Sequence, residues 1–287
     1  MPLHVGIGVI TYNRCDLLRQ TIALIRAYTV HRHTSLAVAD DGSTDGTLEM
    51  LHQIRAPYVT GPNAGIAWNK NRALFLLAEV ARCDVVILLE DDTQPTRYGW
   101  DPPWIAAAAR YGHVNIALDH FREQFIYGTG SVADPIGSKQ ISAQCAAFSR
   151  EALCYAGYFD SRFKGYGHEH VEHSIRMARC GYGGQHEMVD GESKLIFKLL
   201  RGDLAMRDAP SFNSHAESER NLALTNQLVG DQPYRAPWRD DDELARFRGE
   251  MQAAQARQPD GFALHPGDAL RPVPEGRMPW TGVRLPR

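Results

Sequence analysis

The sequence predicts a doubly wound α/β fold with a mostly parallel sheet flanked by helices, and three observations carry that prediction. Segments of strand and helix character alternate through the first hundred residues in the order βαβαβαβ, which suits parallel strands joined by crossover helices. The run "DVVILLE" (84–90) is apolar throughout, as strands covered on both faces are. Polar clusters follow three of the four strand-like runs, where such sheets form their ligand crevice, beyond the carboxyl ends of the strands.

Each element has its own signal. "HVGIGVI" (4–10) is a short β-branched run that stops at the polar turn "TYNR". "CDLLRQTIALIRAY" (15–28) then sets Leu17, Leu18, Ile22, Ile25 and Tyr28 at helical spacing. "SLAVAD" (35–40) is the second strand. The loop "DDGSTDG" follows it, with Asp45 as N-cap of a helix through Leu48, Leu51 and Ile54. "APYVTG" makes a short third strand, and 64–82 a long helix of good formers without Pro or Gly after Gly65.

Beyond Pro95 the pattern is less regular. "ISAQCAAFSR" (141–150) reads as another buried strand, "EALCYAGYFD" as a short helix ending at Gly157, and 168–180 as a helix stopped by Gly181. "RDDDELARFRGEMQAAQAR" should hold an exposed helix capped by Asp240, Asp241 or Asp242. The proline-rich stretch 257–287 reads as an irregular tail or wrapping arm. The expected organisation is two halves of one domain, 1–100 and 101–230, followed by an irregular C-terminal extension, a helix and Pro-rich tail over 231–287.

A chain of 287 residues with 44% apolar and 23% charged content can bury a substantial core like an ordinary soluble protein. A net charge of −3 gives no reason to expect nucleic acid or an anionic membrane as the main partner. Five scattered cysteines without a CxxC pair argue against a zinc knuckle or disulfide framework and for reduced thiols. The N-terminus lacks a basic region and a long apolar core, and the apolar runs stop short of a membrane span. A cytoplasmic protein with no integral membrane segment is expected.

The chemistry should sit in the polar clusters. Glu90, Asp91 and Asp92 follow the apolar strand directly, and three adjacent anions repel one another unless a cation neutralises them. A hard divalent ion that keeps positions open for phosphate oxygens would do so; a solvated acidic turn is the other possibility. Asp40 could accept from a base N–H or close an Asx turn, and Gly42 lets the backbone bend. Tyr12 offers a stacking surface and Arg14 a phosphate fork, or else a core aromatic and a surface charge. Trp100, Trp104 and Trp238 are either core residues or a platform for a sugar ring.

Taken together, "VGIGVITYNRCDLLRQTI", "LAVADDGSTDGTLEML", "GPNAGIAWNKNRALFLL" and "VVILLEDDTQP" resemble the nucleotide-sugar-binding half of family 2 glycosyltransferases with the GT-A fold. The resemblance runs through residues 4–100 and resumes around 145–182. It implies a metal-dependent enzyme that moves a sugar from a nucleotide-diphosphate donor, a UDP-sugar being favoured, to an unknown hydroxyl acceptor. It implies that Thr11, Tyr12 and Arg14 line the nucleotide pocket, that Asp40 binds the base and that Asp41 supports the loop. Asn63, Gly65, Asn69 and Arg72 would lie near ribose and diphosphate. "EDD" matches the family's DXD-type motif, so Asp92 would bind Mn2+ or Mg2+, with Glu90 and Asp91 at ribose, sugar or metal-bound water. A late histidine often completes the metal shell in the family, and His215 is the candidate here.

"GYGHEHVEHSIRM" (165–177) stands where the family carries an acidic stretch at the start of an acceptor-side helix. The register sets Glu169 on the family's Glu and His170 on an Asp that usually takes the acceptor's proton. That departure leaves Glu169 or His170 as catalytic residue, and inversion or retention open. The stretch does not fit a zinc helix, since four residues after His168 comes Glu172. Two other classes remain open from the residues alone: a nucleotidyltransferase acting on a sugar phosphate, and a catalytically silent nucleotide-sugar-binding protein. The first would be expected to carry a Gly-rich phosphate loop after the first strand, which "GVITYNR" lacks.

Overall fold

The predicted alternation becomes one side of a ten-stranded sheet in a computed structural model, which describes residues 2–209, 214–258 and 260–264. The first half of the chain contains β1 (Val5–Thr11), α1 (Cys15–Tyr28), β2 (Thr34–Asp40), α2 (Thr47–Gln53), β3 (Tyr58–Thr60), α3 (Ile66–Phe75) and β4 (Val85–Glu90). After them come β5 (Thr93–Pro95), α4 (Asp101–Tyr111), β6 (His113–Ile116), β7 (Phe125–Tyr127), β8 (Ile136–Ser138), β9 (Cys145–Ser149), α5 (Arg150–Ala156) and α6 (Glu169–Arg179). The chain continues through β10 (Gly184–Val189), β11 (Glu192–Leu200), β12 (Leu204–Met206), α7 (His215–Leu228) and α8 (Asp241–Arg257).

Strand order is β3-β2-β1-β4-β9-β6-β11-β8-β7, with β10 added on β11. The first four strands are parallel, and β9 runs antiparallel between β4 and β6. A buried run such as "CAAFS" carries no mark of direction, because a strand covered on both faces is apolar either way. β5 and β12 form a separate two-stranded sheet that pins the chain just after the acidic triplet.

The sheet separates two apolar layers. Val5, Ile7 and Val9 of β1 pack with residues of α1, α2 and α4, while Ile10 joins the layer of α3, α5, α6 and α8. The glycines alternating with them have a packing reason. A Cβ at Gly8 would stand 3.0 Å from Leu88 Cδ1 and 3.2 Å from Ala73 Cβ, so the missing side chain is what lets α3 lie close on the sheet. Trp100 and Trp104 are completely buried in the first layer, and Trp238 packs on Phe75 and Phe247 in the second. All three therefore serve the core.

Three local expectations are revised. Asp45 does not occupy the N-cap of α2; Gly46 does, at φ 89°. Asp45 Oδ1 still accepts from Thr47 N (3.2 Å), and its Oδ2 accepts from Cys15 N (2.9 Å) at the start of α1, so one carboxylate ties two helix starts together. The long helix after Gly65 changes at Leu76–Val80 into a π-helical turn, in which Ala81 N donates to Leu76 O. α8 is capped by Asp240, whose Oδ1 accepts from Glu243 N (2.9 Å), but it is not an exposed helix. Phe247, Glu250, Met251 and Ala254 make a buried stripe at helical spacing, and its one charge, Glu250, is matched by a buried arginine.

Residues 262–264 run along the start of β2, where Leu36 N donates to Phe262 O and Leu264 N to Thr34 O, each at 2.8 Å. Of the expected tail, residue 259 and residues 265–287 lie outside the described residues. The five cysteines are unpaired. Among the described residues no helix is long and apolar enough to cross a membrane.

Candidate functional site

A cavity of about 490 Å3 opens at the carboxyl ends of β1, β2 and β4 and is closed on its far side by the loop before α6. Most of the residues singled out in the sequence line it. β1 and its turn supply Thr11, Tyr12 and Arg14; the loop after β2 supplies Asp41; α3 and its approach supply Asn63, Gly65 and Asn69. β4 delivers Glu90 and Asp91, and the start of α6 delivers Glu169 and His170. Residues 80 apart in sequence meet because their strands are neighbours in the parallel part of the sheet.

The acidic triplet is partly neutralised by the protein itself. Asp91 is buried, accepts from Thr11 Oγ1 (2.7 Å) and from Arg14 (2.8 Å), and its carbonyl accepts from Thr21 Oγ1 (2.6 Å). Burial pushes its carboxyl up to about 6, against the pull of Arg14 and Thr11. Asp92 lies 3.3 Å from the same guanidinium, and burial with the neighbouring Glu90 charge raises its carboxyl too. Glu90 is 3.4 Å from the buried ammonium of Lys70.

The fit to a divalent ion follows from this donor set. Glu90 and Asp91 are engaged by Lys70 and Arg14, while Asp92 keeps the longer link. No group of three His, Cys, Asp or Glu among the described residues could hold an ion by itself. A single carboxylate fits a hard dication that takes its remaining ligands from phosphate oxygens and water.

Asp40 and Arg72 lie one layer back from the cavity, and Asn69 lines it while bracing the strand ends. The Asp40 carboxylate is completely buried and accepts from Gly42 N, Ser43 N and Thr60 Oγ1, so the Asx-turn alternative describes it. Asp41 holds the approach to α3 by accepting from Ala64 N (3.0 Å) and Gly65 N (2.9 Å). Arg72 joins Asp41 (2.8 Å) to Glu250 of α8 (2.9 Å) and lies outside the cavity wall. Asn69 donates to the carbonyls of Thr11 and Ala39, tying α3 to the ends of β1 and β2.

The histidine-rich stretch splits between the cavity wall and the core. Gly165, Gly167 and His168 all have positive φ (68°, 96° and 68°), so the chain turns tightly into α6. Glu169 and His170 face the cavity. Glu172 instead pairs with Arg176 at 2.6 Å, and His173 donates to Gly157 O at 2.9 Å while stacking on Phe159. His215 does not reach the cavity: it opens α7 with its side chain 89% exposed, 3.2 Å from Glu219. Ser214 caps that helix, and Glu217, two residues after His215, falls on the opposite side. Glu217 lines the cavity and accepts from Tyr166 N at 3.1 Å.

Several contributors escaped the sequence reading, Lys70, Tyr166, Glu217 and Glu250 among them, as did Ser142 and Gln144 on the cavity wall. Lys70 had a signal available. "NKNR" (69–72) sets four polar residues in a row on a helix, which normally means that one or two of them face water, yet all four are buried. Glu217 and Glu250 had none, because their partners are loops and helices far away in sequence.

Against protein-family profiles, residues 7–153 match Glycosyl transferase family 2, just over half of the chain. No curated protein matches significantly. Among solved structures, the mannosyltransferase PcManGT from Pyrobaculum calidifontis, in complex with GDP-Man and Mn2+, has a TM-score of 0.56 at 17% identity; the match covers 91% of this chain and 76% of that one. GalNAc-T7 with UDP, GalNAc and Mn2+ has a TM-score of 0.54 at 13% identity, over 87% of this chain and 55% of that one. At these identities the likeness concerns the fold, and it is the GT-A fold. The nucleotidyltransferase and silent-binder alternatives gain nothing from either comparison. With the crevice at the strand ends and the profile match over the segment that builds it, this chain belongs to glycosyl transferase family 2 and is a glycosyltransferase.

Proposed function

We propose that the enzyme moves a sugar from a nucleotide-diphosphate donor, a UDP-sugar in first place, to a hydroxyl acceptor with the help of Mn2+ or Mg2+. One observation carries the reading: Tyr12, Arg14, Asp41, Glu90 and Asp91 line the same cavity as Glu169 and His170, so donor groups and a proton-handling pair share one space. That the two solved GT-A structures bind GDP-Man or UDP together with Mn2+ supports the donor class and the metal.

In this reading Tyr12 stacks on the base, and Thr11 and Asn69 fix the strand end beneath it. Asn63 and Gly65 lie beside ribose and diphosphate, where the glycine lets the backbone approach closely. Asp92 would hold the divalent ion, and Arg14 the phosphate charge beside it. When bound, the ion would stabilise the negative charge that develops on the departing diphosphate. Glu169 and His170 face the acceptor. His215 is left out of this assignment, because its ring points away from the cavity.

A thermal-shift screen of nucleotide-sugars with and without Mn2+ tests the proposal. A UDP-sugar should raise the melting temperature when the metal is present, and Asp92→Ala should remove the metal-dependent part. If no nucleotide-sugar stabilises the wild-type protein under either condition, the reading fails.

A further inference from the structure

Lys70 lies behind the cavity wall, in contact with two of the carboxylates that line it. Its ammonium is 2% exposed on α3, donates to Glu169 Oε1 at 3.0 Å, stands 3.4 Å from Glu90 Oε1 and lies over the Phe159 ring at 5.5 Å. It thus joins a donor-side carboxylate at the end of β4 to the first residue of the acceptor-side helix α6. Isolating an ammonium from water at this depth is unfavourable unless carboxylates surround it, and here two do. Burial lowers its basicity, and the two carboxylates more than restore it.

The same arrangement acts on Glu169. Burial favours its neutral form, but the Lys70 charge and then His170 outweigh this and hold the carboxyl well below the usual range. The N-terminus of α6 favours the anion as well. A carboxylate so stabilised accepts a proton poorly. His170 is differently placed: its side chain is 21% exposed, and it lines the cavity. Its Nδ1 is buried, makes no hydrogen bond among the described residues and lies 3.4 Å from Glu169 Oε1. Contacts of this kind tighten when substrate binds. With Nδ1 protonated towards the carboxylate, Nε2 carries the lone pair.

We propose that Lys70 is a positioning residue for the transfer: it keeps Glu169 as a carboxylate that orients His170, and so leaves His170 to take the acceptor's proton. The inference rests on the glycosyl-transfer reading and divides the roles within it. In the step, the acceptor O–H bond breaks and its proton passes to Nε2 of His170. The acceptor oxygen forms the bond to the anomeric carbon, while the bond from that carbon to the diphosphate oxygen breaks and its electron pair leaves on the diphosphate. The protonated imidazole then returns its proton to solvent.

Water serves as acceptor in the test, with UDP release measured from a UDP-sugar shown to bind in the presence of Mn2+, and with binding followed by calorimetry. Turnover of His170→Ala should fall by about 100-fold with donor affinity kept, and added imidazole should restore part of it in a dose-dependent way. Glu169→Gln should lose only about tenfold, since an amide oxygen still accepts from Nδ1. Lys70→Met should lower kcat more than it changes donor affinity, and Lys70→Arg should recover most of the loss. Urea unfolding of each variant separates these effects from loss of the fold, a collapse that imidazole would not reverse. Near-native turnover of His170→Ala, or a larger loss for Glu169→Gln than for His170→Ala, would overturn the assignment while leaving donor binding intact. A screen in which no nucleotide-sugar binds, or a bound donor that the wild-type protein does not cleave, would count against the transfer reading and take this inference with it.

Discussion

His113 shows how one buried side chain ties stability to pH. Its ring is 1% exposed and stacked on Phe148, Nδ1 donates to Ala147 O (3.2 Å), and Nε2 lies 3.0 Å from Ser174 Oγ. The carbonyl can only accept, so Nδ1 carries a proton, and the Asn115 amide that donates to Nε2 (3.0 Å) fits a neutral ring with its lone pair there. Burial lowers its pKa from 6.5 to about 4, against the small opposing pull of that carbonyl. The unfolded chain therefore binds a proton below about 6.5 and the folded chain only below about 4. Acid pulls the equilibrium towards the unfolded chain, and stability falls as pH drops through that window, by roughly 3 kcal/mol at most from this group. His173, buried and likewise held neutral, adds to the slope. Urea midpoints between pH 7 and pH 4 should fall steadily, and His113→Gln should fall less steeply; equal slopes would reject this account.

At the scale of elements, α8 reaches the loop between β3 and α3 directly through Arg246, which donates to Pro62 O (2.8 Å), and indirectly through Glu250 and Arg72. Glu250 accepts from Arg72 (2.9 and 3.0 Å) and from Trp68 Nε1 (3.0 Å), and Arg72 in turn holds Asp41, which fixes Ala64 and Gly65. Glu250→Gln should cost about 3–5 kcal/mol, because it leaves much of a buried guanidinium charge uncompensated. It should also weaken UDP-sugar binding, since Asp41 is then the one carboxylate left on that guanidinium among the described residues. Phe247→Ala should cost a similar amount, about 3–5 kcal/mol by the loss of a core aromatic, with little effect on donor affinity. Urea unfolding and calorimetry on the pair decide this: equal donor affinities would show that α8 supports the fold without tuning the loop for the donor. The start of α8 was legible in the sequence through the side chain of Asp240. Its burial was not, because a stripe containing Glu250 reads as solvated until Arg72 is seen opposite.

In the proposed reading the whole molecule brings a donor side and an acceptor side together over one cavity; β4 and β9 join them within the sheet, and two contacts tie them beside the cavity. A Cβ at Gly65 would stand 3.0 Å from Gly165 N, so the α3 approach and the loop before α6 touch through two glycines. Lys70 makes the second link, between Glu90 and Glu169. A UDP-sugar with Mn2+ should slow amide exchange on both sides, in residues 41–46 and 63–66 and also in 164–168. At a hundredfold excess over Kd the fold should gain about 2.7 kcal/mol in urea unfolding. Slower exchange in the first two segments alone would mean that the donor leaves the acceptor side untouched.

Local chemistry was enough to read the parallel half of the fold, because β1 to β4 with their helices depend on short-range signals: β-branched runs, helical spacing and polar breaks. The same signals pointed to the strand ends as the site, since "TYNR", "DDGSTDG" and "EDD" lie where a parallel sheet opens its crevice. Only the tertiary structure could decide the direction of β9, the burial of α8 and the partners of charged residues. Asp40 and Asp41 are adjacent and chemically alike, yet one closes a turn and the other anchors the approach to α3. Glu169 and Glu172 lie on one helix, yet Lys70 claims the first and Arg176 the second. A charge in a sequence states what must be neutralised, and which group does so is set by distances that exist only once the chain has folded.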